Sequence, residues 1–107
     1  MSEEKRRRAD PDTRAEEIIK AALVLSEIKG YRVVTREEIA EAAGCSPSLV
    51  GKYFGDMCTV RDHIMQAAIK YESAEVILQG LVTRDGMALQ APEALRTAAK
   101  NRLDAEA

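Results

Sequence analysis

The sequence predicts an all-α fold of five helices: three in the N-terminal half, then a long fourth helix and a short fifth helix. Hydrophobic residues make up 46% of the 107 residues, but aromatic residues only 4%, and there is no Trp. The core must therefore consist mainly of Ala, Leu, Ile and Val. These residues recur every three to four positions, which is the period of an amphipathic helix. Capping and helix-ending residues separate the periodic segments and divide the chain into its elements.

The first eleven residues are predicted to form a flexible basic arm, because residues 5–8 are four consecutive cations without an apolar period. The first helix is predicted to begin at Asp12 or Thr13 and to end at Lys29, which a glycine follows. Residues 31–34 are expected to form an extended connector, since the sequence offers no second strand with which they could pair.

The second and third helices are predicted to be short. Thr35 and Glu38 have the spacing of a capping box, in which each side chain satisfies a free backbone N–H of the other residue. A glycine ends this helix after about two turns, and Ser46 caps a third helix over residues 47–54. Two short helices joined by a tight glycine turn have the arrangement of a helix-turn-helix. Residues 12–56 are therefore interpreted as a DNA-binding domain.

The exposed side of the third helix is predicted to carry no carboxylate, which suits a groove lined by phosphates. An apolar side chain on an otherwise polar face fits the methyl group of thymine, so Leu49 is expected to determine sequence preference. Lys52 is expected to reach guanine or a phosphate. The predicted exposed set is Pro47, Ser48, Leu49, Gly51 and Lys52.

Residues 57–107 are interpreted as a helical dimerisation segment. The fourth helix is predicted over residues 57–79 and the fifth from Pro92 to about residue 103. A pair of helices cannot bury all of its apolar surface by itself, so we expect a second copy to cover the remaining stripe. The predicted dimer interface consists of Ile64, Ala68, Tyr71, Ala74, Ile77, Leu78, Leu81, Leu95 and Leu103.

Several motifs between residues 14 and 64 follow a characteristic order and spacing. In these motifs the chain resembles the TetR family of transcriptional regulators. The resemblance implies a three-helix head whose third helix enters the major groove of double-stranded DNA, on a protein that works as a homodimer. The motifs are Ile18-Ile19-Lys20-Ala21-Ala22, Lys29-Gly30-Tyr31, Thr35, Glu38-Ile39-Ala40, Ala43-Gly44-Cys45-Ser46 and Lys52-Tyr53-Phe54.

The same resemblance implies a role for each residue at the DNA. Residues at the start of the second helix would contact phosphates, and residues at the two ends of the third helix would touch the DNA backbone. The residues between them would face base edges or nearby phosphates. The implied DNA contacts are Thr35, Arg36, Ser46, Pro47, Ser48, Leu49, Gly51, Lys52 and Tyr53.

Three residues depart from the family's pattern. Ser26 stands where the family usually has an aromatic core residue, Gly51 where it often has tyrosine, and Met57 where it usually has lysine. The last two departures remove expected DNA contacts. A glycine inside a helix costs roughly 1 kcal/mol relative to alanine. Gly51 therefore indicates a close approach, either of DNA or of a neighbouring helix.

Catalysis and small-molecule binding are not expected. The family carries a much longer helical ligand-binding domain behind the head, whereas residues 57–107 are too few to enclose a pocket. The single histidine, His63, has no expected partner, and the sequence has no glycine-rich phosphate loop and no set of metal ligands at the usual spacing. We therefore predict no enzyme activity, cofactor, metal or small-molecule effector.

The overall charge does not indicate a partner, because sixteen basic and eighteen acidic residues give a net charge of −2. No apolar run is long enough to span a bilayer. Cys45 and Cys58 are too few for a disulfide framework. We expect a cytoplasmic protein with reduced cysteines and no membrane partner.

The sequence thus predicts a sequence-specific regulator that binds double-stranded DNA, most simply a repressor acting as a homodimer on a palindromic operator without an effector. The alternative is a protein-interaction module derived from a helix-turn-helix that no longer binds DNA. Gly51, Met57 and the acidic net charge favour that alternative. Binding to a duplex that weakens steeply with salt would favour the regulator.

Overall fold

The computed structural model describes the backbone of residues 11–106 and the side chains of residues 13–102. It confirms the all-α fold class, because these residues form helices and turns without a strand. The described part contains seven helices: α1 Pro11–Lys29, α2 Arg36–Ala43, α3 Pro47–Phe54, α4 Met57–Lys70, α5 Ala74–Val82, α6 Gly86–Leu89 and α7 Glu93–Glu106.

Helix α1 begins at Pro11, which is the last residue assigned to the predicted basic arm. The rest of that arm lies outside the described residues. Helix α1 packs against α2, α4 and α5, so it joins the N-terminal head to the helices that follow. Ile18, Ala22 and Ser26 lie along its buried side, each no more than 1% exposed.

Residues 31–33 form a turn, so residues 31–34 are not the extended connector that the sequence predicted. Gly30 adopts a φ of 108°, in the left-handed region that favours glycine, and its carbonyl accepts a hydrogen bond from Val33 N–H at 3.2 Å. Tyr31 and Val34 are each only 1% exposed. Burial of these two side chains pulls the segment back onto the core, which an extended chain could not achieve.

The predicted long fourth helix is two helices, α4 and α5, with a break at residues 71–73. Glu72 has a φ of 58°, and Ser73 caps α5 by accepting a hydrogen bond from Val76 N–H. The Ser73 hydroxyl also donates to Glu27 Oε2 of α1 at 2.6 Å. The apolar period continues through the break, so it could not reveal that the chain turns back there.

The second half folds back on itself and buries part of the predicted dimer interface. Helix α5 packs against α6 and α7, and Ile64, Ala68 and Ile77 have no exposed surface. The expectation that these three residues contact a second copy is therefore wrong, because the same chain already covers them. Ala74, Leu78, Leu81 and Leu95 keep part of their surface, Tyr71 is 38% exposed, and the side chain of Leu103 lies outside the described residues.

Candidate DNA-binding surface

Local capping interactions define α2 as the sequence predicted. Glu38 N–H donates to Thr35 Oγ1 at 3.1 Å, and Thr35 N–H donates to Glu38 Oε1 at 3.0 Å. Gly44 ends the helix with a φ of 75°, and Cys45 N–H donates to Ala40 C=O at 2.9 Å. These bonds turn the chain sharply, so that only three residues separate α2 from α3.

Helix α3 has one buried side and one exposed side. Ser46 caps it by accepting a hydrogen bond from Leu49 N–H at 3.2 Å, and Pro47 occupies its first turn. Val50 and Phe54 are buried at 0% and 8% exposure and hold the helix against the core. Because they lie on one side, the opposite side faces solvent.

The exposed side of α3 contains most of the residues implied to bind DNA. Ser46, Pro47, Ser48 and Lys52 are exposed. Leu49, Tyr53 and Met57 are half-buried and pack against the core, so only part of each side chain remains accessible. No residue of α3 is acidic.

Arg36 and Gly51 occupy a common position between α2 and α3. Arg36 Nη2 donates to Gly55 C=O at 3.0 Å, at the C-terminal end of α3. A Cβ atom added to Gly51 would lie 3.6 Å from Arg36 Cζ. A side chain of the neighbouring helix therefore lies next to Gly51, and contact of Gly51 with DNA stays a prediction.

Two carboxylates at helix starts are stabilised in their charged form. The pKa of Glu38 lies below its usual range because Lys29 and the Thr35 N–H both donate to the carboxylate. The pKa of Asp56 is also lowered, mainly by Thr59 N–H and the Thr59 hydroxyl, which both donate to it at the start of α4. Both acids are therefore ionised at neutral pH and serve helix capping.

His63 has a partner that the sequence did not indicate. Its ring meets the Phe54 ring edge to face, with 5.0 Å between ring centroids. The contact links α4 to the buried side of α3. His63 therefore helps to hold α3 against the core.

A polar network that sequence reasoning missed joins the head to α5. Gln79 accepts a hydrogen bond from Tyr31 N–H at 2.8 Å and donates to Ser26 C=O at 3.0 Å. The Tyr31 hydroxyl donates to Asp85 Oδ2 at 2.7 Å, just before α6. Burial is the main cause that raises the pKa of Tyr31. The one hint in the sequence was the isolated polar Gln79 within an apolar stretch.

An open groove of about 360 Å³ lies between the turn after α1 and helix α5. Its volume is within the range of ligand pockets, but it is not an enclosed pocket, so the expectation that no small-molecule effector binds stays a prediction. The groove remains open to solvent, and its surface is mainly apolar. Lys29, Val33, Leu78, Val82 and Thr83 contribute to its lining.

Among the described residues, no group of three or more His, Cys, Asp or Glu could hold a metal ion. Cys45 and Cys58 are both free thiols. No helix in the part of the chain that the structure describes combines the length and the apolar character needed to cross a membrane.

Comparison with known proteins identifies the head. Residues 18–59 match the family model described as bacterial regulatory proteins of the tetR family. A search of curated proteins and a search of solved structures each found no match. The matched segment runs from the buried side of α1 through the start of α4 and includes the whole helix-turn-helix. The helix-turn-helix head of this chain is therefore similar to that of the tetR family of bacterial regulators, which supports a protein that binds DNA and regulates transcription.

Proposed function

We propose that the protein is a repressor that binds a palindromic operator as a homodimer, with one α3 in each half-site. The observation that carries this proposal is the exposed side of α3. It combines Ser46, Pro47, Ser48 and Lys52 without a carboxylate, on a helix braced by a buried opposite side. Such a surface can approach phosphates without repulsion and can place side chains at base edges.

The residues on this surface divide into those that would contact the DNA backbone and those that would reach base edges. Thr35 and Ser46 lie at helix starts, where exposed hydroxyls and backbone N–H groups favour phosphate oxygens. Tyr53 would contact the DNA backbone at the far end of α3. Leu49 would contact a thymine methyl with the part of its side chain that the core leaves uncovered. Lys52 would contact guanine or a phosphate.

A homodimer would place two copies of α3 about one DNA turn apart, roughly 34 to 36 Å, or a multiple of that distance. The proposed dimer interface uses Tyr71, Leu78, Leu81 and Leu95, which keep accessible surface on α5, α7 and the α4–α5 break. Partially exposed aliphatic side chains on neighbouring helices are a typical start for a symmetric contact.

Control without a small-molecule effector is part of the proposal, as is a cytoplasmic location. The surface of the groove beside α5 is mainly apolar, and two of its polar side chains are already engaged. Its Gln79 amide is bonded to Tyr31 and Ser26, and its Lys29 is paired with Glu38. Occupancy of the operator would then follow protein concentration, and bound protein would exclude polymerase. Low-molecular-weight cell extract should accordingly leave the DNA affinity unchanged, and release of DNA by such an extract would contradict this part.

Selection of duplexes from a random pool tests the DNA-binding proposal directly. We expect enrichment of a two-fold symmetric sequence whose affinity falls steeply with salt. Leu49→Ala should reduce the preference for that sequence over a scrambled duplex, by up to the about 1 to 3 kcal/mol that one mismatched base pair costs. Tyr53→Phe should weaken binding to both duplexes equally. Equal loss of preference in both variants would contradict the assignment of roles.

Light scattering tests the homodimer with two neighbouring substitutions. Leu78→Glu places a charge on a half-buried residue and should yield folded monomer. Ile77→Glu places the same charge at a residue with no exposed surface and should unfold the protein. A folded Leu78→Glu protein that remains dimeric would exclude this face as the interface.

The alternative, a protein-interaction module, is favoured by one observation. The guanidinium of Arg36, on α2, is bonded to Gly55, and α3 itself carries one cation, Lys52. Few cations of this surface are therefore available to phosphates. Failure of the protein to bind any selected duplex at low salt would support this alternative over the repressor.

A further inference from the structure

The guanidinium of Arg36 lies flat against α3. A Cβ atom on Gly51 would be 3.6 Å from Arg36 Cζ, 3.7 Å from Nη1 and 3.9 Å from Nε. Three nearly equal distances mean that the face of the planar group, and not its edge, meets the helix. At the same time Nη2 donates to Gly55 C=O at 3.0 Å. The group therefore bonds to the chain at the end of α3 and faces Gly51 one turn earlier, at a distance that leaves room for a single methyl group there.

The electrostatic surroundings of Arg36 fit this position. A cation beside the last carbonyls of a helix is stabilised by the helix dipole. The charge of Arg36 also contributes to the lowered pKa of Asp56, the residue that caps α4. One side chain from the first turn of α2 thus acts on the end of α3 and on the start of α4.

The burial of Arg36 does not fit a phosphate ligand with all its donors in solvent. Its Nε is buried and has no hydrogen-bond partner. This donor cannot reach a phosphate unless the side chain leaves its packed position, so the guanidinium as placed does not offer all its donors to DNA. The space above Gly51 permits that position, because a long side chain there would occupy the place of the guanidinium.

We propose that Arg36 is a positioning residue for α3: its guanidinium, seated on Gly51 and bonded to Gly55, sets the angle at which α3 meets DNA. This inference rests on the proposed DNA-binding function and assigns sequence preference in part to a residue that touches no base. Lysine should not replace Arg36, because an ammonium group has no flat face and cannot both rest on Gly51 and reach Gly55.

Binding measurements at several salt concentrations separate a positioning residue from a phosphate contact. Arg36→Lys and Arg36→Gln should each lower the ratio of affinities for the selected and scrambled duplexes about tenfold. The slope of log affinity against log salt should not change for Arg36→Gln, whereas loss of a phosphate contact lowers it by about 0.9. Lys52→Gln serves as the comparison, with the lower slope expected. An unchanged affinity ratio in Arg36→Lys, or a slope lowered by about 0.9 in Arg36→Gln, would overturn the proposal.

Thermal unfolding tests the contact between Arg36 and α3 without DNA. A protein that binds no duplex would contradict the proposed function, and the contact itself could still be tested in this way. Gly51→Leu should displace the guanidinium and lower the melting temperature by about 4 to 8 °C. In the Arg36→Gln background the same substitution should have less than half of this effect, since there is no guanidinium to displace. An equal shift in both backgrounds would refute the contact. If Arg36→Gln does not fold, Arg36→Lys provides the second background.

Discussion

Gly80 lies inside α5 at a point where the neighbouring helices leave no room for a side chain. A Cβ atom there would be 2.5 Å from Met65 Cε and 2.6 Å from Ala88 Cβ, with Asp85 Cβ at 3.4 Å. Met65 and Ala88 have no exposed surface, so neither can swing out into solvent. Gly80→Ala therefore requires α6 to move away from α5 by close to 1 Å, since apolar carbon atoms are in contact at about 3.5 to 4.0 Å.

The expected cost follows from two opposing effects. Overpacking of a core by one methyl group destabilises a protein by about 1 to 3 kcal/mol. Two contacts this short, one of them to a Cβ atom that cannot rotate away, place Gly80→Ala at the upper end of that range. The higher helix propensity of alanine relative to glycine stabilises the helix by about 1 kcal/mol. The free energy of unfolding should therefore fall by about 2 kcal/mol, or the melting temperature by roughly 8 to 16 °C.

Urea unfolding followed by circular dichroism measures this change, with every variant at the same protein concentration because association would add to stability. Gly51→Ala is the matched control. Its new Cβ would lie at an ordinary 3.6 Å from Arg36 Cζ, so only the gain in helix propensity should remain and stability should rise by up to about 1 kcal/mol. A Gly80→Ala protein as stable as the wild type would refute the packing argument, as would equal effects at the two glycines.

Two predictions concern pH. Tyr31→Phe removes the hydroxyl that donates to Asp85 and should lower the free energy of unfolding by about 2 kcal/mol at pH 7. Because burial raises the pKa of Tyr31, the folded protein favours the neutral phenol, and wild-type stability should fall as pH rises above about 10, a loss that Tyr31→Phe should reduce. Conversely, hydrogen bonds from Lys29 and Thr35 lower the pKa of Glu38 in the folded protein. The ionised Glu38 therefore stabilises the fold above about pH 4.3, and this stabilisation is lost as the pH falls through the lower pKa of the folded state. In urea unfolding midpoints measured at a series of pH values, Glu38→Gln should reduce the loss of stability at acid pH. An unchanged loss would contradict the role of Glu38.

The helix-turn-helix could be predicted closely because its determinants are local in sequence. Thr35 and Glu38 are three residues apart, and both hydrogen bonds of their capping box are present. Ser46 caps α3 through a bond to Leu49, also three residues away. Interactions within one helical turn depend little on the rest of the fold, so reading the sequence is sufficient for them.

The C-terminal half was harder to predict because its determinants are distant in sequence. The predicted long helix is interrupted next to Ser73, whose hydroxyl caps α5 and donates to Glu27, 46 positions away. Periodicity also cannot tell whether an apolar residue is covered by its own chain or by a second copy. Ile77 was assigned to a dimer interface for that reason, and it is buried by its own chain.

The two departures from the family's pattern that remove an aromatic residue have a common physical explanation. At Gly51, the space above the helix holds the guanidinium of Arg36 from α2. At Ser26, a fully buried small side chain lets α5 come close enough for Gln79 to bond the Ser26 carbonyl. The polar side chain from the other helix bonds to the carbonyl of Ser26 itself in one case, and to Gly55 C=O, one turn beyond Gly51, in the other. An aromatic ring restored at either position should therefore destabilise the protein, because the neighbour that it displaces would lose its hydrogen bond as well as its packing.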